Sequence, residues 1–208
     1  HQPFIFKPNN TKPQKHSNLN GIVSEFVWQM LEDKKGNFWF CTNHDGVVIY
    51  DGKYLKQFTP KDGLGGNAVR DIIEDNKGNI WLGTSNGLTK YDGKTFTNYM
   101  NRHGQKWFSI IGIHDAESML SKNRISDILI DKHDNIWFVN DGYGISKFNG
   151  KVFDFFTKEN GLTDNNVADV FEDSQGNIWI GTFYGGVSKY NGNTFINFTK
   201  EGIIKGIE

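Results

Sequence analysis

The chain has 208 residues, with 23 Lys plus Arg against 24 Asp plus Glu and a formal net charge of −1 at pH 7; no block of like charge occurs, so the basic footprint of a nucleic-acid binder is absent. No window approaches the roughly eighteen consecutive apolar residues of a membrane-spanning helix, and the first residues, HQPFIFKPNN, lack the charged start and apolar run of a leader. Gly at 24 residues, Pro at 4 and aromatics at 14% point to short, aromatic-rich strands joined by tight turns, an all-β chain.

In chain order, residues 1–24 form an N-terminal segment whose start, PFIFKPNN, reads as an outer strand and its exit. A single domain then runs over 25–200, because one pattern recurs four times: EDKKGNFWFCT, EDNKGNIWLGT, DKHDNIWFVN and EDSQGNIWIGT. Its tryptophans, Trp39, Trp81, Trp137 and Trp179, are spaced by 42, 56 and 42 residues, so the two halves repeat at 98 and the third interval holds an insertion at 101–122. The repeats occupy about 25–61, 67–100, 123–159 and 165–200, and 201–208 is left as a C-terminal tail.

Each copy reads as four short strands. In the second they are VRDIIED (69–75), NIWLGT (79–84), LTKYD (88–92) and TFTNY (95–99). The D-x-x-G-N between the first two is a tight turn whose Asp bonds nearby backbone, and YDGK between the last two signals a type I′ hairpin. Asp33, Asp75, Asp131 and Asp173 are therefore structural turn residues. A four-stranded meander of period near 42 cannot bury both faces alone, and it predicts a β-propeller of four blades, each with four antiparallel strands. The first strands (VWQMLED, VRDIIED, ISDILID, VADVFED) are apolar on both faces, as inner strands wedged between blades must be. Each repeated Trp is expected at a blade interface, burying about 150 to 250 Å². The single cysteine, Cys41, shares a column with Gly83, Val139 and Gly181 and reads as a small buried residue, not a nucleophile.

The run D-x-x-G-N-I-W-x-G-T, then G-L-x-K-Y-D-G-K-x-F, then K-x-x-G-L-x-x-N-x-V resembles the two-component-regulator propeller repeat over about residues 25–200. That family forms the periplasmic sensor part of hybrid two-component systems in bacteria, notably the Bacteroidetes, with related copies in secreted or lipid-anchored proteins. The resemblance implies a propeller fold, a periplasmic or cell-surface location and a non-catalytic binding role. Closure of the ring within one chain is the expectation, with the N-terminal strand adding to the fourth repeat's outer edge as a clasp; the alternative is half of an eight-bladed ring completed by a second chain, so the chain is read as a monomer or a homodimer.

In such a meander the second-to-third-strand loops share one face with the blade connections and the insertion, and this is the face whose residues differ from repeat to repeat. Its candidate ligand-binding residues are Trp107, Tyr143, Tyr184 and Phe183 for stacking, with Arg102, His44, Asp45 and Asp141 for polar contacts. Aromatic faces interleaved with hydrogen-bonding groups are the chemistry of glycan recognition, so a glycan or other extracellular ligand is expected; a protein-interaction scaffold is the alternative. An enzyme acting on polysaccharide, with Asp45 and Asp141 as a carboxylate pair and His44, His103 and His114 as acid-base partners, is a second alternative, for which no G-x-S-x-G, P-loop or H-E-x-x-H is present. No cofactor is expected. The column Gln29, Asp71, Asp127 and Asp169 offers oxygen ligands for a central cation, but an Asp there is common in the resembling repeat and can bond backbone of the next blade.

Overall fold

The computed structural model describes residues 4–6, 26–99 and 124–205. After β1 (Phe4–Phe6), blade 1 is built from β2 (Val27–Glu32), β3 (Phe38–Thr42), β4 (Val47–Tyr50) and β5 (Leu55–Phe58). Blade 2 holds β6 (Val69–Glu74), β7 (Ile80–Thr84), β8 (Gly87–Tyr91) and β9 (Phe96–Asn98); blade 3 holds β10 (Ile125–Ile130), β11 (Ile136–Asn140), β12 (Ile145–Phe148) and β13 (Phe153–Phe156). Blade 4 follows as β14 (Val167–Glu172), β15 (Ile178–Thr182), β16 (Gly186–Tyr190) and β17 (Phe195–Thr199), extended by β18 (Gly202–Lys205). Four antiparallel sheets in meander order result, the four blades of an all-β propeller fold.

Two sheets depart from the expected four strands. β18 pairs with β17, so part of the expected C-terminal tail is a fifth strand of blade 4. β1 pairs with β9, Phe4 opposite Asn98 and Phe6 opposite Phe96, so the N-terminal strand lies on the outer edge of blade 2 instead of clasping blade 4. Both strands blunt an outer edge that would otherwise expose a row of unpaired backbone groups.

The D-x-x-G-N turns form as expected. Asp33 Oδ1 accepts the amides of Lys35 and Asn37, each at 2.9 Å, and Gly36 takes φ 81°. In blade 3 the glycine is replaced by Asp134, which adopts φ 61°, the one non-glycine in the left-handed region among the described residues. The Y-D-G-K turns correct the expected type I′ geometry. Tyr50 pairs with Leu55 across four connecting residues, and only Gly52 has positive φ, whereas type I′ needs it at both central residues. Asp51 keeps ordinary φ because its carboxylate accepts the Lys53 and Tyr54 amides at 2.8 and 2.6 Å, the same asparaginyl-type turn seen at Asp92.

The chain divides into two compact units, His1–Ile125 and Ser126–Glu208. In the first, the face of blade 1 bearing Leu31, Trp39, Val47 and Phe58 shares a core with Ile72, Ile80, Leu82, Tyr91 and Phe96 of blade 2. In the second, Leu129, Trp137, Ile145 and Phe156 of blade 3 share a core with Val170, Ile178, Ile180, Tyr190 and Phe195 of blade 4. The aromatic geometry repeats: Trp39 meets Tyr91 edge-on at 5.9 Å, and Trp137 meets Tyr190 edge-on at 5.7 Å. Trp81 is also buried, but Trp179 is only half-buried and has no blade of its own unit over it, unlike the interface position expected for every repeated Trp.

Candidate ligand-binding loops

The loops after β3, β7, β11 and β15 are held by the last residue of the preceding strand. Thr42 Oγ1 donates to the Gly46 carbonyl at 2.9 Å and accepts the Asp45 amide; Thr84 and Thr182 do the same for their loops. A side chain at Gly46 or Gly186 would collide with the carbonyl of Phe58 or Phe198, so these loops turn tightly over the outer strand. In blade 3, Asn140 replaces the Thr and donates through Nδ2 to Ser146 Oγ at 2.6 Å. The scaffold is therefore rigid, while the intervening residues differ.

In the first unit a cluster assembles at this end of the sheets that the repeat pattern alone did not single out. The pairing of β2 with β3 slips between Val27 and Gln29, and that of β6 with β7 between Val69 and Asp71. The extra residues of these bulges are Trp28 and Arg70, and a bulge re-aims the side chain it carries. The Arg70 guanidinium lies over the Trp28 ring at 4.6 Å, and Phe26 stands 4.6 Å from the same ring on a tilted plane. Trp28 Nε1 donates to Asn43 Oδ1 at 3.1 Å, and Asn43 Nδ2 lies 2.9 Å from His44 Nε2. The Asn43 amide thus bridges the Trp28 indole and the His44 ring. Phe26 and Trp28 remain 51% and 41% exposed. One signal was available for this: Trp28 is a tryptophan outside the repeated column, on an inner strand where the other repeats carry Arg70, Ser126 and Ala168.

In the second unit, Phe183 and Tyr184 project from the β15–β16 loop, 67% and 82% exposed, with ring centroids 6.3 Å apart. Asp141 and Tyr143 sit half-buried in the β11–β12 loop, where the Tyr143 amide donates to the Asn140 carbonyl at 2.8 Å. In the first unit Asp45 is half-buried and His44 exposed. Trp107 and Arg102, with His103 and His114, lie outside the described residues.

The structural assignments gain a component. Each repeated indole donates to the turn Asp six residues earlier: Trp39 to Asp33, Trp81 to Asp75, Trp137 to Asp131 and Trp179 to Asp173, at 2.8 to 3.0 Å. Burial pushes the carboxyls of Asp33, Asp75 and Asp131 upward, but the indole, the Asn side chain and the turn amides outweigh it and hold them below the usual value. For Asp173 the Trp179 indole is the largest influence, and its direction is also downward. Cys41 is fully buried, and burial together with the Asp71 charge pushes its thiol well up, so it is no nucleophile.

Among the described residues no three His, Cys, Asp or Glu side chains gather into a metal-holding group. In the inner-strand column, Asp127 is engaged by protein: Oδ1 accepts the Ile128 amide and Oδ2 the Val170 amide of blade 4, each at 3.0 Å. Asp71 Oδ1 accepts the Ile72 amide and Gln29 Oε1 the Met30 amide. No helix of the described residues is long and apolar enough to cross a membrane.

Comparison with known proteins places this geometry. The structure is similar to the extracellular domain assigned to the hybrid two-component system BT3049 of B. thetaiotaomicron, with a TM-score of 0.63 and 23% identity over 94% of this chain and 28% of that one. The extracellular domain of BT4673 from the same organism matches at TM-score 0.63 and 16% identity, over 96% and 32% of the two chains. Virginiamycin B lyase from Staphylococcus aureus matches at TM-score 0.56 and 15% identity, over 86% and 54%. The chain thus spans about a third or less of the BT3049 and BT4673 extracellular domains and about half of the lyase. At these identities the likeness is one of fold, and the fold serves extracellular domains and a lyase alike. No curated protein sequence matches the chain. The two-component regulator propeller pattern itself matches residues 21–44, 63–86 and 161–184, passing over the third repeat, in which Asp134 replaces the turn glycine and Val139 and Asn140 replace the Gly-Thr pair. Three of the four repeats are accordingly similar to the two-component regulator propeller repeat, the third departing from it.

Proposed function

We propose that the chain is a non-catalytic, ligand-binding propeller of the sensing kind, that it works in the periplasm or at the cell surface, and that it recognises a glycan or other extracellular ligand at the loop end of its blades. The observation that carries this reading is the exposed Phe26–Trp28 pair with Arg70 over the Trp28 ring and Asn43 and His44 beside it. An aromatic face stacks on the C–H face of a sugar, while guanidinium, amide and imidazole groups bond its hydroxyls; a rigid bulge holds them without an ordering cost. The similarity to the extracellular domains of BT3049 and BT4673 supports a sensing role outside the cytoplasm. Trp107 and Arg102 of the insertion remain further candidates in this reading.

A glycan array followed by calorimetry on the purified chain tests it. Saturable binding that weakens roughly tenfold or more, about 1.4 kcal/mol, in Trp28→Ala is the expected result. Binding unchanged in Trp28→Ala and lost in Trp107→Ala would move the site to the insertion. The second reading, a protein-docking scaffold, is favoured by the exposure of Phe183 and Tyr184; capture of a protein ligand that Tyr184→Ala abolishes, with no glycan bound, would establish it. Turnover of a polysaccharide lost in Asp45→Asn or Asp141→Asn would overturn the non-catalytic assignment.

A further inference from the structure

The hairpins between the third and fourth strands of the blades share one geometry but not one residue. Asp51 and Asp92 begin them in blades 1 and 2, and Asn149 and Asn191 in blades 3 and 4, each followed by a glycine of positive φ: 87° and 93°, then 89° and 102°. Asn149 Oδ1 accepts the amides of Lys151 and Val152 at 3.0 and 2.8 Å, and Asn191 Oδ1 those of Asn193 and Thr194, each at 3.0 Å. An amide nitrogen cannot accept, so these paired donors fix which atom of each side chain is the oxygen. Asn149, Gly150, Asn191 and Gly192 are all exposed, and among the described residues the Gly150 and Gly192 amides donate no hydrogen bond.

We infer that Asn149 and Asn191 are sites of spontaneous deamidation, which converts each of these hairpins to the aspartate form already built into blades 1 and 2. Hydroxide or water takes the glycine amide proton, the nitrogen attacks the asparagine Cγ, and the N–Cγ bond forms while the Cγ–Nδ2 bond breaks and ammonia leaves. Water then opens the cyclic imide at either of its two carbonyl carbons, giving aspartate or isoaspartate. During the attack negative charge develops on Oδ1, where two backbone N–H groups already point, so the turn stabilises the oxyanion. A Cβ at Gly150 or Gly192 would meet nothing within 4 Å, so the approach to the nitrogen is open.

The same dipeptide occurs elsewhere among the described residues at Asn86-Gly87 and Asn160-Gly161, and there the fold blocks the step. Asn86 Nδ2 donates to the Gly65 carbonyl at 3.2 Å, and Gly87 is buried in β8 opposite Thr84. The Gly161 amide donates to the Lys158 carbonyl at 3.2 Å, and this glycine is buried, with its Cβ position 3.1 Å from the Phe195 ring. At both places the attacking nitrogen has to leave packed structure first, which costs a local opening. Asn20-Gly21 lies outside the described residues.

Peptide mapping by mass spectrometry on the purified chain tests the proposal, after parallel incubations in mildly alkaline buffer and in the same buffer with enough urea to unfold it. In buffer, conversion to aspartate or isoaspartate is expected at Asn149 and Asn191, and at least about tenfold more slowly at Asn86 and Asn160. In urea that difference should disappear. The double variant Asn149→Asp, Asn191→Asp should keep the strand content and melting of the chain, because Asp51 and Asp92 fill the same position with the same pair of amide bonds. Conversion at Asn86 or Asn160 in buffer as fast as in the hairpins overturns the inference. So do hairpin asparagines still intact in buffer once the unfolded chain has converted, and so does a double variant that melts markedly lower.

Discussion

At the scale of single residues, the Asp–Trp pair explains why these two residue types stand six apart in every repeat. The carboxylate needs a donor once the turn is folded against the sheet, and the indole needs an acceptor once it is buried; each supplies the other, with the turn amides filling the remaining lone pairs. Asp131→Asn retains a turn acceptor but sets an amide donor or a weaker acceptor against the Trp137 indole, and should cost about 1–3 kcal/mol in urea unfolding. Trp137→Ala, which empties a site 1% exposed, should cost about 3–5 kcal/mol. The pH dependence follows from the same bonds. Asp33, Asp75, Asp131 and Asp173 are held below their ordinary values in the folded chain, so they bind fewer protons folded than unfolded. Their stabilisation is complete above the unfolded value of about 3.9 and is lost as pH falls through the lower folded values. The urea midpoint should therefore hold between pH 7 and 5 and drop towards pH 3, and the penalty of Asp131→Asn should shrink over that drop; a penalty that is constant with pH contradicts the assignment.

At the scale of the element, strand periodicity and the Asp-Gly spacing carried enough information to locate four meanders, because each depends on contacts a few residues apart. The hairpin geometry is not legible from the dipeptide because an Asp before Gly serves either a left-handed backbone or an amide-binding carboxylate, and at Asp51 and Asp92 the second wins. The partner of the N-terminal strand was not legible either: every outer edge offers the same backbone groups, so alternation in residues 3–10 does not distinguish β9 from β17. The third repeat tests the turn argument. Asp134 adopts φ 61° where the other three turns use glycine at 80° to 85°, a conformation costing a side-chain-bearing residue about 1 kcal/mol. Asp134→Gly should then stabilise the chain by up to about 1 kcal/mol, partly offset by the greater freedom glycine has when unfolded. Thermal melting of this variant beside Gly176→Ala, expected to destabilise, checks the sign in both directions.

At the scale of the whole chain, the loop face could be assigned from topology, but its chemistry could not, because a bulge moves a side chain without altering the hydrophobic pattern that reveals the strand. His44 and Asp45 were legible as loop residues; their company with Trp28, Arg70 and Phe26 depends on two bulges in neighbouring sheets. Phe26, Trp28, Arg70 and Asn43 all belong to one unit, so the proposed ligand cluster is complete within it. Trp28 is 41% exposed, and Trp28→Ala leaves the buried core around Trp39 in place. It should therefore weaken ligand binding roughly tenfold or more while changing stability by no more than about 0.5 kcal/mol. Arg70→Ala, which removes the cation from the Trp28 face, should weaken binding in the same direction. Calorimetry and urea unfolding on the same samples decide it: binding lost with stability kept locates recognition at the cluster, whereas binding unchanged in both variants would mean that the site has to be sought in the insertion.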